Sequence, residues 1–267
     1  MTVHDLLSTA GIHATDAETM LAHVLRKNRA WLLAHNSDDV TDVDARTFEA
    51  FVRRRNAGEP VAYILGEREF YGRTFSVRQG VLIPRPCTES LVEATLMIID
   101  GKNVDSVTDI DAGIVRAIAL RHATHDVRTI VDVGTGSGCI AVSIACERPN
   151  VRCIAIDWSP DAIAVTRENA SKHGVEDRID IRHGRFLEPL RPNDGPFLIV
   201  TNPPYVTDAQ LLANDVLMHE PREALMGGGK DGGDILREII RQSRTFPACV
   251  GIVAECLAEQ AGIVTDN

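Results

Sequence analysis

Asn202-Pro203-Pro204-Tyr205 follows the apolar run Ile199-Val200-Thr201, and these four residues are the types needed to handle a planar nitrogen. A carboxamide nitrogen or an exocyclic amine is a poor nucleophile because its lone pair is delocalised. To attack an electrophilic methyl group it must be gripped by acceptors on both hydrogens, with the lone pair turned toward the carbon. Asn202 offers its side-chain carbonyl for that grip, Pro203 its backbone carbonyl, and Tyr205 a ring that can pack on the planar group. Pro203 and Pro204 stiffen the loop, so little entropy is lost on binding. This is catalysis by orientation and electrostatics rather than by a strong base. Without its context, the same tetrapeptide reads as a Pro-rich turn at the end of a strand.

The context lies upstream. The run Val131-Asp132-Val133 leads into Gly134-Thr135-Gly136-Ser137-Gly138. Glycines at alternate positions after a strand let the backbone approach a ligand and leave amide N–H groups free at a helix start. Such a loop taken alone also serves as a tight structural turn. The next apolar run ends in Asp157, 25 positions after Asp132, where a carboxylate can accept both hydrogens of a ribose diol. Ser159 before Pro160 is the better cap for the helix that follows, which leaves Asp157 for the diol. The two motifs together indicate a nucleoside cofactor and leave NAD and S-adenosylmethionine both open.

Positioning these groups requires a parallel sheet. Apolar runs recur at Thr129–Val133, Arg152–Ile156, Ile179–Arg182, Pro196–Thr201 and Val250–Glu255, with amphipathic stretches such as Cys139–Glu147 and Pro160–His173 between them. Strand and helix alternating in this way predict an α/β sheet covered on both faces. Up to about Pro60 the chain reads as helical instead. Leu21, Val24 and Leu25 fall at helix spacing after a cap at Thr15 or Asp16. Asp42–Asn56 sets Phe48, Phe51 and Val52 on one face and ends in Arg53-Arg54-Arg55. The arginine triplet reads as a solvated last turn, with an acidic docking partner as the sharper alternative. Glu69–Val77 predicts a hairpin about Gly72, and Val81–Pro86 a proline-punctuated connector. Gly101–Asp111, polar and Asp-rich, reads as an exposed loop. The domain boundaries are a helical region at 1–66, a hairpin and linker at 67–89, and a cofactor-binding domain at 90–267.

The formal charge of −10 disfavours a nucleic-acid partner, since an acidic surface repels phosphate. Only 4% of residues are aromatic, so aliphatic side chains must build the core. The six cysteines form no Cys-x-x-Cys pair, and the first ten residues lack the pattern of a secretory leader. Reduced thiols in a cytoplasmic protein are therefore expected. No apolar run is long enough to span a membrane. The closest histidine pair, His122 and His125, sits in a polar stretch, and no metal site is expected.

With these motifs in order the sequence resembles the class I S-adenosylmethionine-dependent methyltransferases that carry an Asn/Asp-Pro-Pro-Tyr motif. More narrowly it resembles the release-factor glutamine N5-methyltransferases. Pro60–Gly66, Phe70-Tyr71-Gly72, Val81–Pro86 with Thr88-Glu89, Glu220–Leu225 and Gly228–Gly232 carry that narrower likeness. The resemblance implies a Rossmann-like sheet with a small helical N-terminal domain that helps hold a class 1 peptide-chain release factor. The methylated residue would be the glutamine of that factor's Gly-Gly-Gln loop. It also implies that Gly134, Thr135, Gly136, Ser137 and Gly138 hold the methionine part of S-adenosylmethionine, Asp157 the ribose, and Phe186 the adenine. Asn202 would lie between cofactor and substrate and, with Pro203, Pro204 and Tyr205, hold the glutamine amide; Asn202, Pro203 and Tyr205 are the catalytic set. Four features depart from the pattern. Arg185 precedes Phe186 where an acid is usual, Cys87 stands in place of another acid, and about 100–126 is longer than usual. The strand pair that normally follows the fifth strand is not apparent, which predicts an unprotected edge there. The alternatives are a ribosomal-protein glutamine methyltransferase, an adenine-N6 nucleic-acid methyltransferase, and a protein that binds S-adenosylmethionine without turnover.

Overall fold

The computed structural model describes residues 1–111, 113–121, 127–212 and 219–266. The chain separates into two compact units, Met1–Glu67 and Arg68–Asn267. The first is helical: α1 (Val3–Thr9), α2 (Ala14–Leu25), α3 (Arg29–Ala34), α4 (Asp42–Asn56) and α5 (Val61–Leu65). Met20, Leu21, Leu32 and Phe48 are its largest fully buried side chains, which agrees with the helical spacing. The cap of α2 differs from expectation: His13, not Thr15 or Asp16, supplies it, its Nδ1 facing the Thr15 N–H at 3.3 Å. The arginine triplet is largely committed within the unit. Arg54 pairs with Glu59 and Arg55 with Asp16, which takes two of the three charges away from an acidic partner.

The second unit opens with a hairpin, β1 (Glu67–Phe70) and β2 (Arg73–Ser76). Tyr71 and Gly72 both have positive φ, 51° and 68°, the backbone that a two-residue hairpin turn requires. After the connector and a short 3₁₀ turn come α6 (Glu89–Ile99), β3 (Val107–Asp111) and β4 (Ile114–Leu120). The alternating layer follows: β5 (Thr129–Val133), α7 (Cys139–Glu147), β6 (Arg152–Asp157), α8 (Pro160–Lys172), β7 (Ile179–His183) and β8 (Phe197–Thr201). It ends with α9 (Asp208–Leu212), α10 (Asp234–Ser243), β9 (Cys249–Leu257) and α11 (Ala261–Thr265). The seven-stranded sheet runs β3-β4-β9-β8-β5-β6-β7, parallel from β9 to β7. Successive side chains of each strand enter opposite cores. Ile130, Leu198 and Val253 pack with α6 and α7, whereas Val131, Ile199 and Ile252 pack with α10. Burial on both faces explains why these strands read as largely apolar runs, the buried acids Asp132 and Glu255 apart.

The unprotected edge expected beside the fifth apolar run is not there. β4 pairs antiparallel with β9 along its whole length, Val115 with Cys256, Ala117 with Ala254 and Leu120 with Gly251, and β3 pairs antiparallel with β4. The strand pair beside β9 therefore comes from the stretch before β5. Part of the segment read as an exposed loop is thus the edge strand β3, whose alternate residues are solvent-exposed. Asp109 and Asp111, with an irregular register between them, suit an edge that must not pair further. His122 and His125 lie outside the described residues.

Candidate active site

The carboxyl ends of β5, β6 and β8 converge on a cavity of about 690 Å³, a size suited to a cofactor. Its wall combines the connector from Gly80 to Arg85, the turn after β5, the end of β6, Gly184–Phe186, Asn202–Pro204 and Pro221–Met226. This is the crevice that open α/β sheets use for ligands.

The turn after β5 is held by the neighbouring strand: Gly134 and Thr135 donate their N–H groups to the Ile156 carbonyl at 2.9 and 3.0 Å. Gly134, Gly136 and Gly138 all have positive φ. A Cβ on Gly138 would also meet Thr166 Cγ2 at 2.9 Å, so glycine is required there for two reasons. Beneath the turn, Asp132 is fully buried. Its Oδ2 accepts from Thr135 Oγ1 at 2.7 Å and the Ala141 N–H at 3.2 Å, while Oδ1 has no partner. Burial pushes this carboxyl up to about 7, against the hydrogen bonds that lower it.

Asp157 ends β6, as expected, but its carboxylate is already in use. Oδ2 accepts from the Gly136 N–H and Oδ1 from the Ser159 N–H, both at 2.9 Å. Each oxygen keeps a second lone pair for a diol. Burial raises this carboxyl as well. Ser159 caps α8 through the Ala162 N–H, the role its sequence position predicts. Phe186 has φ 51° and forms part of the cavity wall. Arg185, standing where an acid was expected, lies over the exposed ring of Trp158 at 5.1 Å. That contact places a cation, stacked on an indole, in the cavity wall beside Phe186.

Asn202, Pro203 and Pro204 belong to the cavity wall and Tyr205 does not. Tyr205 instead points its hydroxyl at Glu255, 3.1 Å from Oε1. Asn202 donates Nδ2 to Thr88 Oγ1 at 2.8 Å. Two acids escaped the sequence reading as site residues. Glu255 is fully buried at the end of β9. Glu220 is buried too, accepting the Ile83 N–H at 3.0 Å and pairing with Arg85 at 2.5 Å, which ties the connector to the loop after β8. The available signal was an acid inside an otherwise apolar run, Val253-Ala254-Glu255-Cys256.

The sequence is similar to those of known proteins. Residues 3–66 match the PrmC N-terminal domain family and residues 95–231 the Methyltransferase small domain family. A release factor glutamine methyltransferase of Bordetella pertussis is 40% identical over 223 residues, covering 83% of this chain and 73% of its own. One of Xylella fastidiosa is 39% identical, covering 86% and 74%. A bifunctional methyltransferase of Rickettsia felis is 37% identical over 91% of this chain. The chain spans about half the length of that relative, 47%.

Proposed function

This chain belongs to the release factor glutamine methyltransferase family, and we propose that it methylates the side-chain amide of the glutamine in the Gly-Gly-Gln loop of a class 1 peptide-chain release factor, using S-adenosylmethionine. One observation carries the reading. The glycine turn after β5, Asp157 at the end of β6 and Asn202–Pro204 after β8 meet in the wall of one cavity.

The residues fit that cofactor. The glycine turn leaves room for a backbone-close ligand, and Asp157 keeps lone pairs for a ribose diol. Asp132 supplies a buried, partly unpartnered acid beneath the turn. Gly134–Gly138 would hold the methionine part, and Phe186 would cover the adenine with Trp158 and Arg185 beside it. When bound, S-adenosylmethionine supplies a methyl group on a sulfonium, ready for displacement. The chain's own residues then have one task, to present the amide nitrogen. Asn202 Oδ1 and the Pro203 carbonyl accept its two hydrogens and aim its lone pair, which lowers the entropic part of the barrier. The same acceptors stabilise the positive charge that develops on nitrogen. No side chain of the wall needs to act as a strong base, since the methylated amide sheds its proton to water afterwards.

The test is to incubate the chain with S-adenosylmethionine and a class 1 release factor and to map methylation by peptide mass spectrometry. A single methyl on the Gly-Gly-Gln glutamine is expected, with Asn202→Ala lowering the rate about 100-fold or more. No methylation, with the factor shown competent toward another enzyme and cofactor binding intact, would overturn the substrate.

A further inference from the structure

Glu255 has no solvent exposure. A carboxylate there is costly unless donors surround it, and donors do. Thr88 Oγ1 donates to Oε2 at 2.9 Å, the Tyr205 hydroxyl to Oε1 at 3.1 Å and Cys87 Sγ to Oε1 at 3.7 Å. Thr88 Oγ1 also receives Asn202 Nδ2. A hydroxyl has one hydrogen and an ionised carboxylate only accepts. The Thr88 hydrogen is therefore committed to Glu255, and Thr88 meets Asn202 with lone pairs alone. Only the NH₂ end of the Asn202 carboxamide satisfies that arrangement, so the carbonyl end is left for the cavity.

We propose that Glu255 is a positioning residue which, through Thr88, fixes the direction of the Asn202 carboxamide so that Oδ1 rather than Nδ2 meets the substrate amide. The inference rests on the methyl-transfer reading above and deepens it. A reversed Asn202 would set N–H donors against N–H donors, and the acceptor grip would be lost with the shape of the loop unchanged. The same carboxylate takes the Tyr205 hydroxyl, so it fixes both ends of Asn202–Tyr205.

Protonated Glu255 becomes a donor itself and releases the constraint, so the arrangement depends on pH. Burial pushes Glu255 above the ordinary glutamate range, against the bonds from Thr88, Tyr205, Cys87 and Asn202 that lower it. The groups around it are Cys87 and Arg85 from the connector, the latter ion-paired with Glu220, Tyr205 after β8, and Cys256 beside it in β9. On β4 its cross-strand partner is Arg116, whose guanidinium bonds to Thr108 and the Ser90 carbonyl. Burial raises Cys87 to about 11, Cys256 to about 12, and Tyr205 as well, so neither thiol nor the phenol titrates on the acid side.

The experiment compares Glu255→Gln, Thr88→Val and Thr88→Ser with the wild-type chain on a class 1 release factor. S-adenosylhomocysteine affinity, measured by calorimetry, serves as the control for folding. Glu255→Gln and Thr88→Val are expected to lower kcat at least about tenfold with cofactor affinity within about threefold. Thr88→Ser, which restores the hydroxyl, should return kcat to within about threefold of wild type. The ratio of wild-type to Glu255→Gln kcat should fall on the acid side as Glu255 takes up its proton, which separates it from the titrations of Asp132 and Asp157 that both chains share. Unchanged kcat in Glu255→Gln and Thr88→Val, or Thr88→Ser as impaired as Thr88→Val, would overturn the inference. Should Glu255→Gln not fold, the Thr88 pair decides. A wild-type chain that binds cofactor yet methylates no glutamine overturns the functional reading and the inference together; an active wild type with unaffected variants overturns the inference alone.

Discussion

Arg182 lies on β7 with its guanidinium nearly buried. It donates Nη1 and Nη2 to the Asp194 carboxylate, both at 2.7 Å, and Nη1 also reaches the Pro189 carbonyl at 3.0 Å. Asp180 takes Nε and Nη2 as well. These bonds fold the segment after Phe186 back against the sheet. Removing one partner of such a pair leaves the other charge buried alone, so Arg182→Met should cost about 3–5 kcal/mol near neutrality. The pH dependence has a definite sign. The Arg182 hydrogen bond holds Asp194 below the usual aspartate value, so the folded state binds fewer protons there than the unfolded chain. The stabilisation is whole above the unfolded aspartate value, about 4, and is lost as pH falls toward the native one. Urea unfolding should show the gap between wild type and Arg182→Met shrinking as pH drops from neutrality below about 4. A constant gap would show that the pair contributes nothing through charge.

At the scale of elements, β4 explains how β9 is kept from being an edge. Ala117 is fully buried in the middle of β4, with β3 on one side and β9 on the other. A proline there removes a ladder hydrogen bond from an interior strand. Ala117→Pro is expected to destabilise the chain by on the order of 3 kcal/mol and to raise light scattering on heating, as β9 loses its cover. An unchanged thermal midpoint would mean that β4 is dispensable. Most of the parallel strands were legible in the sequence because burial on both faces keeps runs such as Cys153–Ile156 and Leu198–Val200 apolar throughout. The hairpin at Tyr71-Gly72 was legible from its turn. β3 and β4 were not: Val107–Asp111 holds three polar residues out of step with a strand's alternation, Arg116 interrupts the next run, and the polar surroundings suggested a loop. The site divides in the same way. The glycine turn, Asp157 and Asn202–Pro204 are local motifs and could be read directly. The link from Glu255 to Thr88 joins residues 167 positions apart and exists only once β9 lies beside the connector. Tyr205, read as a surface for the substrate, turns its hydroxyl to Glu255 for the same reason.

For the whole molecule, the chain divides into Met1–Glu67 and Arg68–Asn267, and we propose that the two units carry separate tasks. Every residue of the cavity wall falls between Gly80 and Ile239, and the two large cores of the sheet are built from residues of the second unit alone. A fragment starting at Arg68 therefore has its own core and its whole cofactor site. It should bind S-adenosylhomocysteine within about threefold of the full chain, since no contact in that site is lost. The helical unit has its own core about Phe48 and Met20 and contributes nothing to the cavity wall. We propose that it docks the protein substrate, a second contact that raises the local concentration of the loop to be methylated. The full chain and the fragment should then differ by about tenfold or more in kcat/KM on an intact release factor. On a short peptide containing Gly-Gly-Gln, which cannot reach a second contact, they should agree. Equal values on the intact factor would remove the docking role from the helices. A fragment that binds no cofactor would show that the second unit needs the first to fold, and a loss on the short peptide equal to that on the factor would place the effect of the helices at the site itself.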